Sequence, residues 1–156
     1  MKYDNEAEIS THINATKEEV WEALTDPEII RQYFFGTNTE TDWQPGHPIT
    51  FSGEWQGKTY KDKGTVLKYE DKRSVSYSYW SSMSGIEDKP ENYVIVTYEI
   101  EGKDGDVLVK VKQENIPDDK MKEHSTENWK KVLQDLKDLL EKNQKVLPVN
   151  SMDKVE

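Results

Sequence analysis

Alternation of apolar and polar residues predicts that most of the chain folds as an antiparallel sheet. The clearest segment is 74–79, in which Val75, Tyr77 and Tyr79 alternate with serines. A period of two places successive side chains on opposite faces of a strand, so one face of this strand is apolar. Six further segments have strand patterns, separated by turn residues or by helical segments: 7–13, 37–43, 49–55, 59–70, 94–100 and 107–111.

Two short helices are predicted directly after the first strand. Thr16 and Glu19 fit a capping box, in which each side chain bonds the backbone N–H of the other residue. The second helix begins at Asp26 and Pro27, because Asp caps a helix and Pro fits its first turn. The apolar sides of the two helices are formed by Val20, Trp21, Leu24, Ile29, Ile30, Tyr33 and Phe34.

A long helix is predicted to begin near Asp118 and to end at about Asn143, where the periodicity stops. The pattern therefore predicts one domain over 3–143 and a flexible C-terminal tail over 144–156. The inner face of the helix is predicted to carry Trp129, Val132, Leu133, Leu136 and Leu140.

The order of these elements predicts an α+β fold with an antiparallel sheet of about seven strands. Only the C-terminal helix is long enough to cover the apolar face of such a sheet, so we expect the sheet to wrap around it. A curved sheet leaves a gap wherever the side chains against the helix do not fill the space. We therefore expect a cavity between the long helix, the two short helices and the sheet.

One segment resembles a known protein superfamily. Residues 13–28 read INATKEEVWEALTDPE, which is similar to the opening of the START-like, or helix-grip, superfamily, also called SRPBCC. The nearest branch is the Aha type, named after the activator of the 90-kDa heat-shock protein ATPase. Weaker matches follow in the right order at 45–46, 64–67 and 129–140, so the resemblance covers roughly 7–142. It implies a helix-grip fold for this chain.

The chain departs from the pattern of this family at one wall of the expected cavity. Tyr33, Phe34 and Phe35 stand where the family often has a Trp after the second helix, and the strand at 74–80 is unusually rich in Ser and Tyr. The family includes co-chaperone domains, lipid and polyketide binders, and cyclases. The resemblance therefore implies several functions and does not identify a ligand.

Charge and composition exclude several classes of partner and site. The 156 residues carry 31 acidic and 21 basic side chains, a net charge of −10, which argues against nucleic acid and anionic membranes as partners. No segment approaches the roughly 18–20 apolar residues that a membrane helix requires, so we expect no membrane insertion. The chain has no cysteine and no apolar N-terminal signal segment, so a cytoplasmic location is expected.

The sequence offers no pattern typical of a metal site or a catalytic nucleophile. His12, His47 and His124 are far apart, whereas a zinc site needs three or four converging ligands. The serines over 74–84 lack the flanking glycines of a nucleophile elbow, and we interpret those within the strand as its polar face. No phosphate-binding glycine loop is present either, so neither a metal nor a cofactor is expected.

Aromatic residues are the remaining candidates for a functional site. They are predicted to line the cavity with apolar walls and with hydroxyls that orient a ligand, although each of them could instead fill the core. We interpret the protein as a non-catalytic binder of a small apolar or amphipathic molecule. Two alternatives are a protein-interaction module that acts on a chaperone, and a polyketide-cyclase-like enzyme. The predicted lining residues are Phe34, Phe51, Tyr77, Tyr79, Tyr98 and Trp129.

Overall fold

The computed structural model describes residues 3–146, and its helices and strands follow the predicted order. The strands are β1 Asn5–Ile13, β2 Asn38–Glu40, β3 Pro48–Trp55, β4 Lys58–Glu70, β5 Ser74–Tyr79, β6 Val94–Lys103 and β7 Asp106–Ile116. The α-helices are α1 Lys17–Thr25, α2 Pro27–Tyr33 and α3 Asp119–Val146, and a 3₁₀ turn covers Pro90–Asn92. The strands form one antiparallel sheet in the order β1-β7-β6-β5-β4-β3-β2, which confirms the predicted α+β architecture.

The two short helices begin at the predicted caps. The Thr16 hydroxyl accepts a hydrogen bond from the Glu19 backbone N–H at 3.0 Å, and the Glu19 carboxylate accepts one from the Thr16 N–H at 2.9 Å. The Asp26 carboxylate accepts from the Glu28 N–H at 2.9 Å and caps α2. These bonds satisfy N–H groups that have no partner inside a helix. Trp21 and other apolar residues of both helices are buried in the core.

Helix α3 covers the apolar face of the sheet and packs chiefly against β1. Trp129, Leu133 and Leu136 are buried, as the helical periodicity predicts. The helix continues to Val146, three residues beyond the predicted end of the domain, and 147–156 of the predicted tail lie outside the described residues. No helix within 3–146 has both the length and the apolar character needed to cross a bilayer.

The strand predicted over 37–43 is much shorter in the structure, because side chains turn its second half away from the sheet. The Thr41 hydroxyl accepts a hydrogen bond from the Trp43 N–H at 3.0 Å, and the Asp42 carboxylate accepts one from the Gln44 N–H at 2.9 Å. Such local bonds compete with strand pairing. Strand β2 consequently pairs with β3 over only three residues.

Candidate functional site

The six aromatic residues predicted from the sequence form one continuous cluster. The Phe34 ring, at the C-terminal cap of α2, lies 5.8 Å from the Trp129 ring of α3. Trp129 in turn makes an edge-to-face contact at 5.8 Å with Tyr98 of β6. Rings at these distances and angles attract one another through their quadrupoles in addition to burying area.

The second half of the cluster lies on β3 and β5. The Phe51 ring lies 5.5 Å from both Tyr77 and Tyr79. Tyr77 and Tyr98 line the same central space and interact electrostatically, which joins the two halves. The five elements α2, α3, β3, β5 and β6 therefore bring the six residues together.

Burial keeps the tyrosines of this cluster protonated. Removal from water raises the pKa of Tyr77 and Tyr98 above the ordinary value of 10.0, because the charged phenolate is poorly solvated there. The pKa of Tyr79 is raised by burial and by the neighbouring Asp62 carboxylate. Their hydroxyls are therefore neutral groups that can both donate and accept hydrogen bonds at neutral pH.

The space at the centre of the cluster is almost filled by side chains. Its volume is about 10 Å³, room for about one water molecule. Four of the six predicted residues line it, whereas Tyr79 and Trp129 touch the lining rings from outside. The lining is Leu24, Ile30, Tyr33, Phe34, Thr39, Trp43, Phe51, Tyr77 and Tyr98.

Thr39 is the lining residue that the sequence analysis missed and that carries an unused polar group. Its side-chain Oγ1 is buried, and it has no hydrogen-bond partner among the described residues. Thr39 lies opposite Phe51 in the β2–β3 register, so both side chains face the same space. In contrast, the Tyr33 hydroxyl in the same lining donates to the Ala23 carbonyl at 2.8 Å.

The segment after α2 adjoins this space through Phe34. Phe35 has a φ of 55° and Gly36 a φ of 71°. The left-handed region is unfavourable for a residue with a Cβ, by about 1–2 kcal/mol. The Phe35 side chain is 53% exposed, and its ring lies 5.7 Å from Phe34. The exposed Phe35 ring, on its strained backbone, therefore packs beside Phe34, which in turn contacts Trp129.

Asp62 is an acidic side chain in contact with the cluster, and it accepts three hydrogen bonds. It is 5% exposed and accepts a hydrogen bond from the Tyr79 hydroxyl at 2.5 Å. It also accepts from the Ser82 backbone N–H at 2.9 Å and from the Ser82 hydroxyl at 3.2 Å. A carboxylate held by three donors orients Tyr79 and the loop after β5.

The histidines do not converge. His12 lies 2.8 Å from Asp106, and His47 lies 2.7 Å from Asp42, in two exposed pairs. The Gln44 N–H, together with the His47 ring, holds the pKa of the Asp42 carboxyl below its usual range. Within 3–146 no three His, Asp or Glu side chains are grouped as metal ligands would be.

A seven-stranded antiparallel sheet wrapped around a C-terminal helix, with two short helices after the first strand, defines a helix-grip protein of the START-like superfamily. The family model described as "Activator of Hsp90 ATPase homolog 1-like protein" matches residues 14–141. The chain belongs to this family, which confirms the resemblance noted in its opening segment.

Solved structures agree with this assignment. Protein ChR145 from Cytophaga hutchinsonii is 41% identical, with a TM-score of 0.80 over 94% of this chain and 100% of that one. The Aha1 dimer from Colwellia psychrerythraea is 18% identical, with a TM-score of 0.69 over 88% and 96% of the two chains. CalU16 from Micromonospora echinospora is 22% identical, with a TM-score of 0.67 over 94% and 78%. No curated protein matches the chain.

Proposed function

We propose that this protein binds a small apolar or amphipathic molecule, without catalysis, at the centre of the aromatic cluster. The observation that carries the proposal is the Thr39 hydroxyl, which is buried without a partner beside the small central space. An unpaired buried hydroxyl costs about 1–3 kcal/mol. The polar end of an amphipathic ligand would remove that cost, while its apolar part would replace contacts between rings.

Binding requires the space to widen, because a ligand needs far more room than about 10 Å³. Pockets for small molecules usually measure about 300–1,000 Å³. The part of the wall best suited to move is the α2–β2 connection, which combines the strained Phe35 with a β2 strand of only three residues. Outward movement of Phe34 and Phe35 would expose Trp129 and Tyr98 to the ligand.

The Asp62 carboxylate already accepts three hydrogen bonds, from Tyr79 and Ser82, which supports binding over catalysis. The two alternatives are a chaperone-directed interaction module and a polyketide-cyclase-like enzyme. Both are supported by membership of the family, and no particular residue of this chain favours either of them. The absence of cysteine and the acidic charge suit the cytoplasmic location that the sequence predicts.

The proposal is tested with a fluorescent fatty acid and with anilinonaphthalene sulfonate, titrated into folded protein. We expect saturable binding and a rise in melting temperature, because the probe binds only the folded state. Thr39→Val and Tyr77→Phe should each weaken binding several-fold. The control is Tyr93→Phe, which removes a hydroxyl that bonds Asp88 at an exposed site.

Failure of both probes to bind folded protein would show that the aromatic cluster is only a core, and the interaction-module alternative would then be the better one. Equal losses of affinity in Tyr93→Phe and Thr39→Val would likewise contradict the assigned site.

A further inference from the structure

The outer face of the sheet, opposite α3, carries a row of polar residues. Ser74 of β5 lies opposite Glu70 of β4 and opposite Glu99 of β6, and Glu99 lies opposite Lys110 of β7. Residues opposite each other in register share a face. The next residue of β5, Val75, is fully buried in the core, so the row faces away from it.

This row forms the floor of an open groove of about 380 Å³. One end of the groove is formed by Lys72 and Arg73, in the turn between β4 and β5, together with Lys17 at the start of α1. The groove is separate from the aromatic cluster, and the two share no lining residue. Its lining is Lys17, Glu70, Lys72, Arg73, Ser74, Glu99, Ile100, Glu101, Leu108 and Lys110.

The groove has a surplus of positive charge on a protein with a net charge of −10. Four cationic and three acidic side chains line it. Glu70 alone of these seven forms an ion pair within the described residues, at 3.6 Å to Lys68 outside the groove. Lys110 and Glu99 are register partners, yet no ion pair joins them. The cations of the groove are therefore available to a ligand.

Ser74 supplies the feature that points to a ligand. It is only 4% exposed, and its hydroxyl has no hydrogen-bond partner among the described residues. A hydroxyl in this position is satisfied when a bound group accepts its hydrogen bond, and an anion is the strongest acceptor. The adjacent Arg73 can offer a planar fork of donors to the same group.

We propose that this groove binds a small anion of phosphate or carboxylate chemistry that also carries hydroxyl or amino groups. Arg73 and the three lysines neutralise the anion, and the Ser74 hydroxyl donates to it. Glu99 and Glu101 accept hydrogen bonds from the hydroxyl or amino groups, which makes the groove selective against simple inorganic anions. The site lies on the opposite face of the sheet from the apolar ligand of the aromatic cluster.

The test is an NMR titration of the ¹⁵N-labelled protein with glycerol 3-phosphate, glutamate and inorganic phosphate in separate arms. We expect saturable shifts at the backbone amides of 72–74 and 99–101 with one of the two organic anions, and much weaker ones with inorganic phosphate. Arg73→Gln and Ser74→Ala should each reduce affinity by about tenfold or more, the loss expected for a hydrogen bond to a charged group.

Arg31→Gln is the matched control, since Arg31 is the other arginine of the chain and lies on α2 outside the groove. It should leave affinity unchanged, as should Thr39→Val in the aromatic cluster. The proposal is overturned if neither organic anion gives saturable shifts, if Ser74→Ala retains full affinity, or if Arg31→Gln and Arg73→Gln lose affinity equally. None of these results depends on whether the apolar probes bind.

Discussion

The indole nitrogen of Trp129 donates a hydrogen bond of 2.7 Å to the side-chain oxygen of Gln113, and so attaches the middle of α3 to β7. The same indole ring packs against Phe34 and Tyr98. One side chain therefore connects the helix, the sheet and the segment after α2.

Trp129→Ala should lower the free energy of unfolding by about 3–5 kcal/mol, because it removes a large buried aromatic ring. Trp129→Phe keeps most of the ring but leaves Gln113 without its partner, which should cost about 1–3 kcal/mol. Urea denaturation measures both changes. Lys130→Ala, on the exposed side of α3, is the control and should change stability by less than about 0.5 kcal/mol. A loss below about 1 kcal/mol for Trp129→Ala would contradict the packing described here.

Gly64→Ala should be among the most damaging single-methyl additions in the chain. A Cβ at Gly64 would lie 1.6 Å from the Ser78 carbonyl oxygen on the neighbouring strand, so β4 and β5 would have to separate. We expect a loss of at least about 3 kcal/mol in chemical denaturation, at the upper end of overpacking effects. Gly85→Ala is the comparison: its φ is 77° but nothing lies within 4 Å, so it should cost only about 1–2 kcal/mol. Similar losses for the two variants would show that the strands are not in close contact.

The buried tyrosines predict loss of stability in alkali. Burial raises the pKa of Tyr33, Tyr77, Tyr79 and Tyr98 in the folded protein, whereas unfolded tyrosines titrate near 10. A raised folded pKa means that this contribution to stability is complete below about pH 10 and decreases as the pH rises further. Absorbance at 295 nm should therefore show four of the eight tyrosines ionising only together with the loss of near-ultraviolet circular dichroism. Ionisation of all eight near pH 10 with the fold intact would disprove the burial.

Thr39→Val should stabilise the ligand-free protein. Valine has nearly the same shape as threonine and removes the hydroxyl that lacks a partner. We expect the free energy of unfolding to increase by about 1 kcal/mol, measured as a higher urea midpoint with an unchanged slope. Thr25→Val is the opposite case, because the Thr25 hydroxyl donates to the Trp21 carbonyl at 2.8 Å and its loss should not be stabilising. Destabilisation by Thr39→Val would mean that its hydroxyl has a partner.

Strand and helix periodicity were sufficient to place the aromatic residues on the correct faces. Tyr77 and Tyr98 were predicted to face α3 because a strand alternates its side chains strictly, and both are buried there. The 3.6-residue repeat of α3 likewise predicts that the Trp129 side chain faces the sheet, because residues at that spacing share one face of a helix. The backbone geometry alone fixes these directions, so no knowledge of neighbouring elements was required.

Periodicity could not predict how full the centre of the cluster would be. Its volume depends on side-chain rotamers and on the exact approach of α2 to the sheet, neither of which leaves a repeat in the sequence. Thr39 was missed because β2 is too short to show alternation, and its inward direction follows only from its pairing with Phe51. The unpaired state of its hydroxyl depends on every neighbour that surrounds it.

The strand serines show the same limit on the other face. Ser74 and Ser76 are predicted to form the polar face of their strand, and they do point away from α3, but both are buried. Lys68 lies opposite Ser76, and its long side chain can cover a short serine. Alternation predicts the direction of a side chain, whereas its exposure depends on the size of its neighbours.

The small volume of the space beside Thr39 has a consequence for the rate of ligand binding. If a ligand can enter only after Phe34 and Phe35 move outward, the opening step precedes every productive encounter. The observed association rate should then rise with ligand concentration only until it equals the opening rate, and should remain constant above that. Relief of the left-handed strain at position 35, as in Phe35→Gly, would alter that plateau by changing the stability of the closed form. The slow step of recognition would thus be a property of the protein, and chemically different ligands would share one limiting rate.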